Sequence, residues 1–181
     1  MPLRLVGGLV VSARTEPRFT RDADIAVAAA SDAEAEALVP TLRSTGYEIE
    51  AVVEHEAVGR LATARLRGSL APTSPVIGLL FASSGIEPEI VAVADEIELL
   101  RQLRVRVATT GPPIALKVLA RDDVPRPQDV ADLRALLRVA SAIDITRARS
   151  ALAFISERGS HRRRDLDAEL EKLLRTQHGT R

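Results

Sequence analysis

Leu3-Arg4-Leu5-Val6-Gly7-Gly8-Leu9-Val10-Val11-Ser12, followed by Arg18-Phe19-Thr20-Arg21-Asp22-Ala23-Asp24-Ile25-Ala26-Val27, is the segment whose reading decides the fold. The apolar, β-branched run over 3–10 predicts a strand that runs into a glycine pair. Glycines in that place let the backbone approach a phosphate with no Cβ in the way. Asp22 and Asp24 stand at i and i+2, with thirteen residues between Gly8 and Asp22, at the head of an apolar strand expected over 22–28. On an extended strand both carboxylates fall on one face. Two carboxylates so placed suit a divalent cation that also holds a nucleotide's phosphates. The combination points to metal-dependent nucleotidyl transfer.

Outward from this segment the first half alternates strand and helix. A short helix is expected to begin within 9–15. Ser31-Asp32-Ala33-Glu34 has the capping-box pattern and opens a helix that runs to about Ser44 and stops at Gly46. Residues 47–53 and 61–67 read as strands, the second alternating Thr63, Arg65 and Arg67 against Ala62, Ala64 and Leu66. A turn spans Gly68 to Pro75. The continuously apolar Val76-Ile77-Gly78-Leu79-Leu80-Phe81 reads as a strand buried on both faces. Glu87 to Ala94 reads as a short helix with Pro88 in its first turn. The character changes at Gly111-Pro112-Pro113. Beyond it helices are expected over 114–121, 128–139, 144–157 and 164–176, with a break at 125–127. The expected organisation is an α/β core over 1–110, built on a small mixed β-sheet with flanking helices. A C-terminal helical region over 111–181 follows, packed on that core.

Composition excludes several classes. Apolar residues make up 46 % of the 181 positions, enough for a core, and aromatics only 2 %, so that core is aliphatic. Formal net charge is zero, which argues against a basic coat for non-specific nucleic-acid binding. With no cysteine, disulfides, zinc thiolates and thiol catalysis are ruled out. No apolar run approaches a membrane span, and no signal-like start is present, so a cytoplasmic location is expected.

The segments Val6 to Ser12, Glu16 to Asp24, Leu79 to Glu87, Ile114 to Arg121 and Arg126 to Leu133 resemble the bacterial nucleotidyltransferases grouped with the AbiEii/AbiGii-type toxins, of the DNA polymerase β-like superfamily. The resemblance covers nearly the whole chain. It implies that Gly7 and Gly8, with Ser12 and Thr20, cradle the triphosphate of a nucleotide, and that Asp22 and Asp24 bind the metal, Mg2+ or Mn2+. It implies that Lys117 contacts the phosphates and Asp129 supports the site as a further acid. The substrate is then a nucleoside triphosphate, and the acceptor hydroxyl lies on an RNA end or a protein. An antitoxin protein is an expected partner, and no membrane association is implied. Relatives generally carry a third carboxylate where this chain has Gly78, so weakened catalysis is expected. Relatives also have a helix before the first strand. One face of the strand over 3–10 is therefore expected to be partly bare, or to be covered from elsewhere in the chain.

Each residue also has a plainer reading. Gly7-Gly8 alone is a turn, and Asp22 and Asp24 alone are solvated acids. Lys117 sits in an apolar helix, where a lysine snorkels to water. Arg121, one turn on, either extends a cationic surface or pairs with Asp129. Asp129 and Asp132, at i and i+3, suit the positive end of a helix. His161-Arg162-Arg163-Arg164 is either a solvated basic run or a patch for acceptor RNA. His55 and His178 have no assigned role. Two functional readings stand: a nucleotidyltransferase with a weakened metal site, or a nucleotide-binding protein without catalysis that acts through a partner.

Overall fold

A computed structural model describes residues 1–55, 60–68, 74–121 and 127–178. The turn expected after Gly68 and the break at 125–127 lie mostly outside them. Among the described residues there are seven strands and seven helices. The strands are β1 (Leu3–Val6), β2 (Asp22–Val27), β3 (Tyr47–His55), β4 (Arg60–Gly68), β5 (Val76–Leu80), β6 (Ala94–Leu100) and β7 (Leu103–Ala108). The helices are α1 (Gly7–Arg14), α2 (Asp32–Ser44), α3 (Glu87–Ala92), α4 (Gly111–Ala120), α5 (Pro127–Val139), α6 (Ala142–Glu157) and α7 (Leu166–His178).

The strands form one mixed sheet in the order β3-β4-β5-β2-β1-β7-β6. β2 pairs parallel with β5 and antiparallel with β1, and β1 pairs parallel with β7. The fold class is the expected mixed α/β. Alternation along the strands separates two apolar clusters, since successive side chains leave opposite faces. Val27, Ala64, Leu66 and Leu79 pack with Ala35 of α2. Val6, Ala26 and Ala108 face the larger cluster, which draws Ile86 and Ile90 from α3, Ile114 and Val118 from α4, Leu133 and Leu136 from α5, and Leu152 and Ile155 from α6. On the other face of β1, Leu3 is 52 % exposed and Leu5 half-buried.

Two elements differ from the sequence reading. The first strand stops at Val6, and Gly7 turns directly into α1 with φ +65°. Val10 and Val11 are therefore helical, and buried, despite their β-branched side chains; packing overrides propensity here. The hairpin β6–β7 was not anticipated. Its register sets Glu96 opposite Arg106 and Glu98 opposite Arg104, cross-strand pairs of opposite charge. Gly111-Pro112-Pro113 is no linker but the buried first turn of α4, where proline costs no hydrogen bond. The expected start of α2 is present, with the Ser31 hydroxyl accepting from the Glu34 N–H.

The basic run 161–164 divides. Arg162 and Arg163 are exposed, whereas Arg164 turns inward. Its guanidinium donates to the carbonyls of Val118 (3.0 Å), Leu119 (2.9 Å) and Arg121 (3.3 Å), and pairs with Glu169. It thus satisfies the orphan acceptors at the C-terminus of α4. Arg164→Ala is expected to lower the unfolding free energy by about 1–3 kcal/mol, with Arg164→Lys recovering only part, because a point charge cannot span three carbonyls. Arg163→Ala is expected to stay within about 0.5 kcal/mol of wild type. Urea unfolding of the three variants checks this ordering.

Candidate active site at the β1–α1 turn

The parallel register places Asp24 of β2 opposite Gly78 of β5, and its antiparallel partner on the other side is Val6, the residue before Gly7. The Asp24 carboxylate occupies the space left by the two glycines. A Cβ on Gly7 would lie 2.1 Å from Asp24 Oδ2, and one on Gly78 would lie 2.6 Å from Oδ1. No side chain fits at either position without moving the carboxylate, and Gly7 is further fixed by its left-handed backbone. Gly8 faces Thr20, whose Oγ1 would be 2.7 Å from an added Cβ. The Thr20 hydroxyl donates to the Asp22 carbonyl at 3.2 Å. Asp22 itself is half-buried and meets Arg65 of β4, with Nη2 3.4 Å from Oδ2.

A second group of charges lies where α4 and α5 meet the loop before β2. Lys117 Nζ is 2.6 Å from Asp129 Oδ1 and 2.8 Å from Asp132 Oδ2. Asp132, with only 1 % of its side chain exposed, also accepts two bonds from Arg18, at 2.7 and 2.6 Å, and one from Gln128 at 2.9 Å. Ser12 works at one remove: its hydroxyl donates to the Arg18 carbonyl (3.1 Å) and accepts the Arg18 N–H (3.3 Å), which fixes the loop that carries this guanidinium. Arg18 in turn reaches Gly8, since an added Cβ there would lie 3.0 Å from Arg18 Nη2. Arg121 is the C-cap residue of α4, four residues beyond Lys117, and its carbonyl accepts from Arg164.

The two buried acids behave oppositely. Burial, and then the neighbouring Asp22 charge, raise the Asp24 pKa, against weaker opposition from Arg65 and Lys117. Burial also works against ionised Asp132, but the bonds from Arg18, Lys117 and Gln128 outweigh it and its pKa falls. A carboxylate kept short of counter-charge beside a second carboxylate suits a hard divalent cation, so the Asp22–Asp24 pair fits Mg2+ or Mn2+. No group of three or more His, Cys, Asp or Glu side chains able to hold a metal ion forms among the described residues. Position 78 adds no ligand.

The fold thus gathers Gly7, Gly8, Thr20, Asp22 and Asp24 at one turn, with Lys117 near enough to bias Asp24. It brings Lys117, Asp129 and Asp132 together behind them. Arg18 and Arg65 were missed as site residues. Arg18 lies in a quoted motif without an assigned role, and Arg65 on an alternating strand looks like any solvent-facing charge.

The sequence matches the family described as "Nucleotidyl transferase AbiEii toxin, Type IV TA system" over residues 2–180. No curated protein matches the chain. Among solved structures, the antibiotic-resistance factor ANT(2'')-Ia is similar with a TM-score of 0.52 at 18 % identity, over 88 % of this chain and 84 % of that one. The lincomycin-bound lincosamide antibiotic adenylyltransferase LnuA gives 0.46 at 13 % identity, over 76 % and 87 %. JHP933 from Helicobacter pylori gives 0.45 at 16 %, over 99 % and 88 %. At 18 % identity the likeness to ANT(2'')-Ia is one of fold.

The raised pKa of Asp24 makes its charge a stability cost in the free protein. That cost is absent below the ordinary value of 3.8 and is fully present once the pH has risen through the folded-state value. Asp24→Asn is therefore expected to be more stable than wild type at pH 7, with the advantage shrinking as pH falls toward 4. Urea unfolding of both proteins across pH 4–8 tests this, and a gap independent of pH contradicts it.

Proposed function

The chain belongs to the AbiEii nucleotidyl transferase toxin family, and from that premise we propose that it moves a nucleoside monophosphate from a nucleoside triphosphate to an acceptor hydroxyl, on an RNA end or a protein, with release of pyrophosphate. The observation that carries the reading is the Asp24 carboxylate seated between Gly7 and Gly78, beside Asp22 and at the start of α1. The first N–H groups of α1 have no intrahelical acceptor, which suits phosphate oxygens.

Asp22 and Asp24 hold Mg2+ or Mn2+ in this reading. A divalent cation held there neutralises phosphate charge and polarises the phosphoryl group. Thr20 and Gly8 border the triphosphate. Lys117, held by Asp129 and Asp132, presents an ammonium pre-oriented toward the same face, and Arg121 extends the cationic side of α4. Ser12 shapes the turn through Arg18. Positioning and charge neutralisation do most of the work in such transfers. Gly78 offers no carboxylate for taking the acceptor's proton, so turnover is slow. The same glycine favours a second reading, a nucleotide-binding protein without catalysis that acts through a partner. The family's toxin–antitoxin character supports an antitoxin as that partner and a cytoplasmic location. No helix among the described residues is long and apolar enough to cross a membrane.

Incubation with radiolabelled nucleoside triphosphates, Mg2+ and total RNA tests the transfer. Label is expected on an acceptor with wild type and is expected to be lost with Asp22→Ala. Equal labelling by both proteins overturns the reading, and magnesium-dependent nucleotide binding without label selects the second.

Lys117→Ala is expected to weaken nucleotide binding about ten-fold or more, since a charge-assisted bond contributes about 1.5–3 kcal/mol. Lys117→Arg should not restore it fully, because the planar fork differs from the ammonium point charge. Calorimetry with a non-hydrolysable analogue reads both. Unchanged affinity in Lys117→Ala leaves the lysine a purely structural partner of Asp132.

A further inference from the structure

Arg65 stands in the same sheet row as the site. β4 pairs with β5 so that Arg65 lies opposite Gly78, and β5 pairs with β2 so that Gly78 lies opposite Asp24. Residues opposite one another share a face, so Arg65, Gly78 and Asp24 form one row across three strands. The Arg65 guanidinium reaches Asp22, on the far side of β5, across two strand spacings, about 9.5 Å. The room at Gly78 is taken by the Asp24 carboxylate, whose Oδ1 would lie 2.6 Å from an added Cβ, and the guanidinium meets Asp22 beside it.

The row and the neighbouring Asp22 bring two carboxylates to one guanidinium. Paired divalent cations about 3.5–4 Å apart are held by several shared acids, and no third acid completes a group here among the described residues. Lys117 already meets two carboxylates at 2.6 and 2.8 Å. Arg65 makes a single long contact of 3.4 Å with Asp22, and its side chain is 51 % exposed. A guanidinium carries five N–H donors and retains its charge at any working pH. It is therefore a cation on this face with donors to spare for a phosphate.

We propose, on the reading that this site binds a metal–nucleoside triphosphate complex, that the Arg65 guanidinium holds the place a second divalent cation would take. The site then accepts one divalent cation per nucleotide, and Arg65 supplies the remaining positive charge to the phosphates. Gly78 and Arg65 act as a pair: the glycine withholds a carboxylate that a second cation would use, and the guanidinium supplies the positive charge in its stead.

The test counts Mn2+ by electron paramagnetic resonance in the presence of a non-hydrolysable nucleoside triphosphate analogue, alongside calorimetric affinity for that analogue. Wild type is expected to hold one Mn2+ per bound analogue. Arg65→Ala, at a half-exposed position, is expected to bind the analogue about ten-fold or more weakly at limiting Mn2+. Raising Mn2+ is expected to narrow that gap, because a free cation then takes the vacated place. Arg65→Lys is expected to retain more affinity than Arg65→Ala. Two ions per analogue in wild type, an Arg65→Ala affinity equal to wild type, or a gap indifferent to Mn2+ each overturns the proposal while leaving nucleotide binding standing. A wild type that binds neither Mn2+ nor the analogue overturns the underlying reading and this proposal with it.

Discussion

The site depends on one steric fact: a carboxylate fills the room of two absent side chains. Asp24 lies across the gap between Gly7 and Gly78, at distances that neither glycine could keep with a Cβ. The consequences run outward from there. β1 must end at Val6, because Gly7 takes a left-handed conformation. The chain then turns straight into α1, which brings a helix start beside the carboxylate. Burial at that spot makes the charge unfavourable in the free protein. In the proposed function the same environment that costs stability would reward a bound cation, the usual exchange between a stable and a competent site.

Behind Asp24, Asp132 binds three parts of the chain together. Arg18 comes from the loop before β2, Lys117 from α4, and Gln128 from the same helix as Asp132. A carboxylate at 1 % exposure is tolerable only with this many donors. Opposed acids and bases also leave each cation little choice of rotamer. Lys117 is thereby aimed by its partners instead of trailing into water, which is the alternative its apolar helix allowed.

Much of this was legible in the residues. α2 was announced by its cap, α5 by its apolar stripe and β5 by its unbroken apolar run. The glycine pair and the aspartate pair pointed to the turn between them, and spacing put both carboxylates on one face. What escaped was whatever depended on pairing partners distant in sequence. β6 and β7 carry acids on one strand and arginines on the other, a pattern that means little until the register sets Glu96 against Arg106. Val10 read as strand because propensity knows nothing of the turn at Gly7. Arg65 looked like a solvent-facing charge because only the order β4-β5-β2 shows what lies across from it. Asp132 looked like a helix-start acid because its cation lies on another segment.

The bond between Arg18 and Asp132 spans 114 positions, and β1 finds its parallel neighbour only in β7. Contacts so far apart in sequence carry a high loop-closure cost and slow folding. They also impose an order during synthesis, which proceeds from the N-terminus. A ribosome-bound chain can present Asp22 and Asp24 early, yet the guanidinium beside them has no anchor until α5 has emerged. A growing polypeptide thus carries an unfinished centre for most of its translation, and α5 decides when it becomes whole.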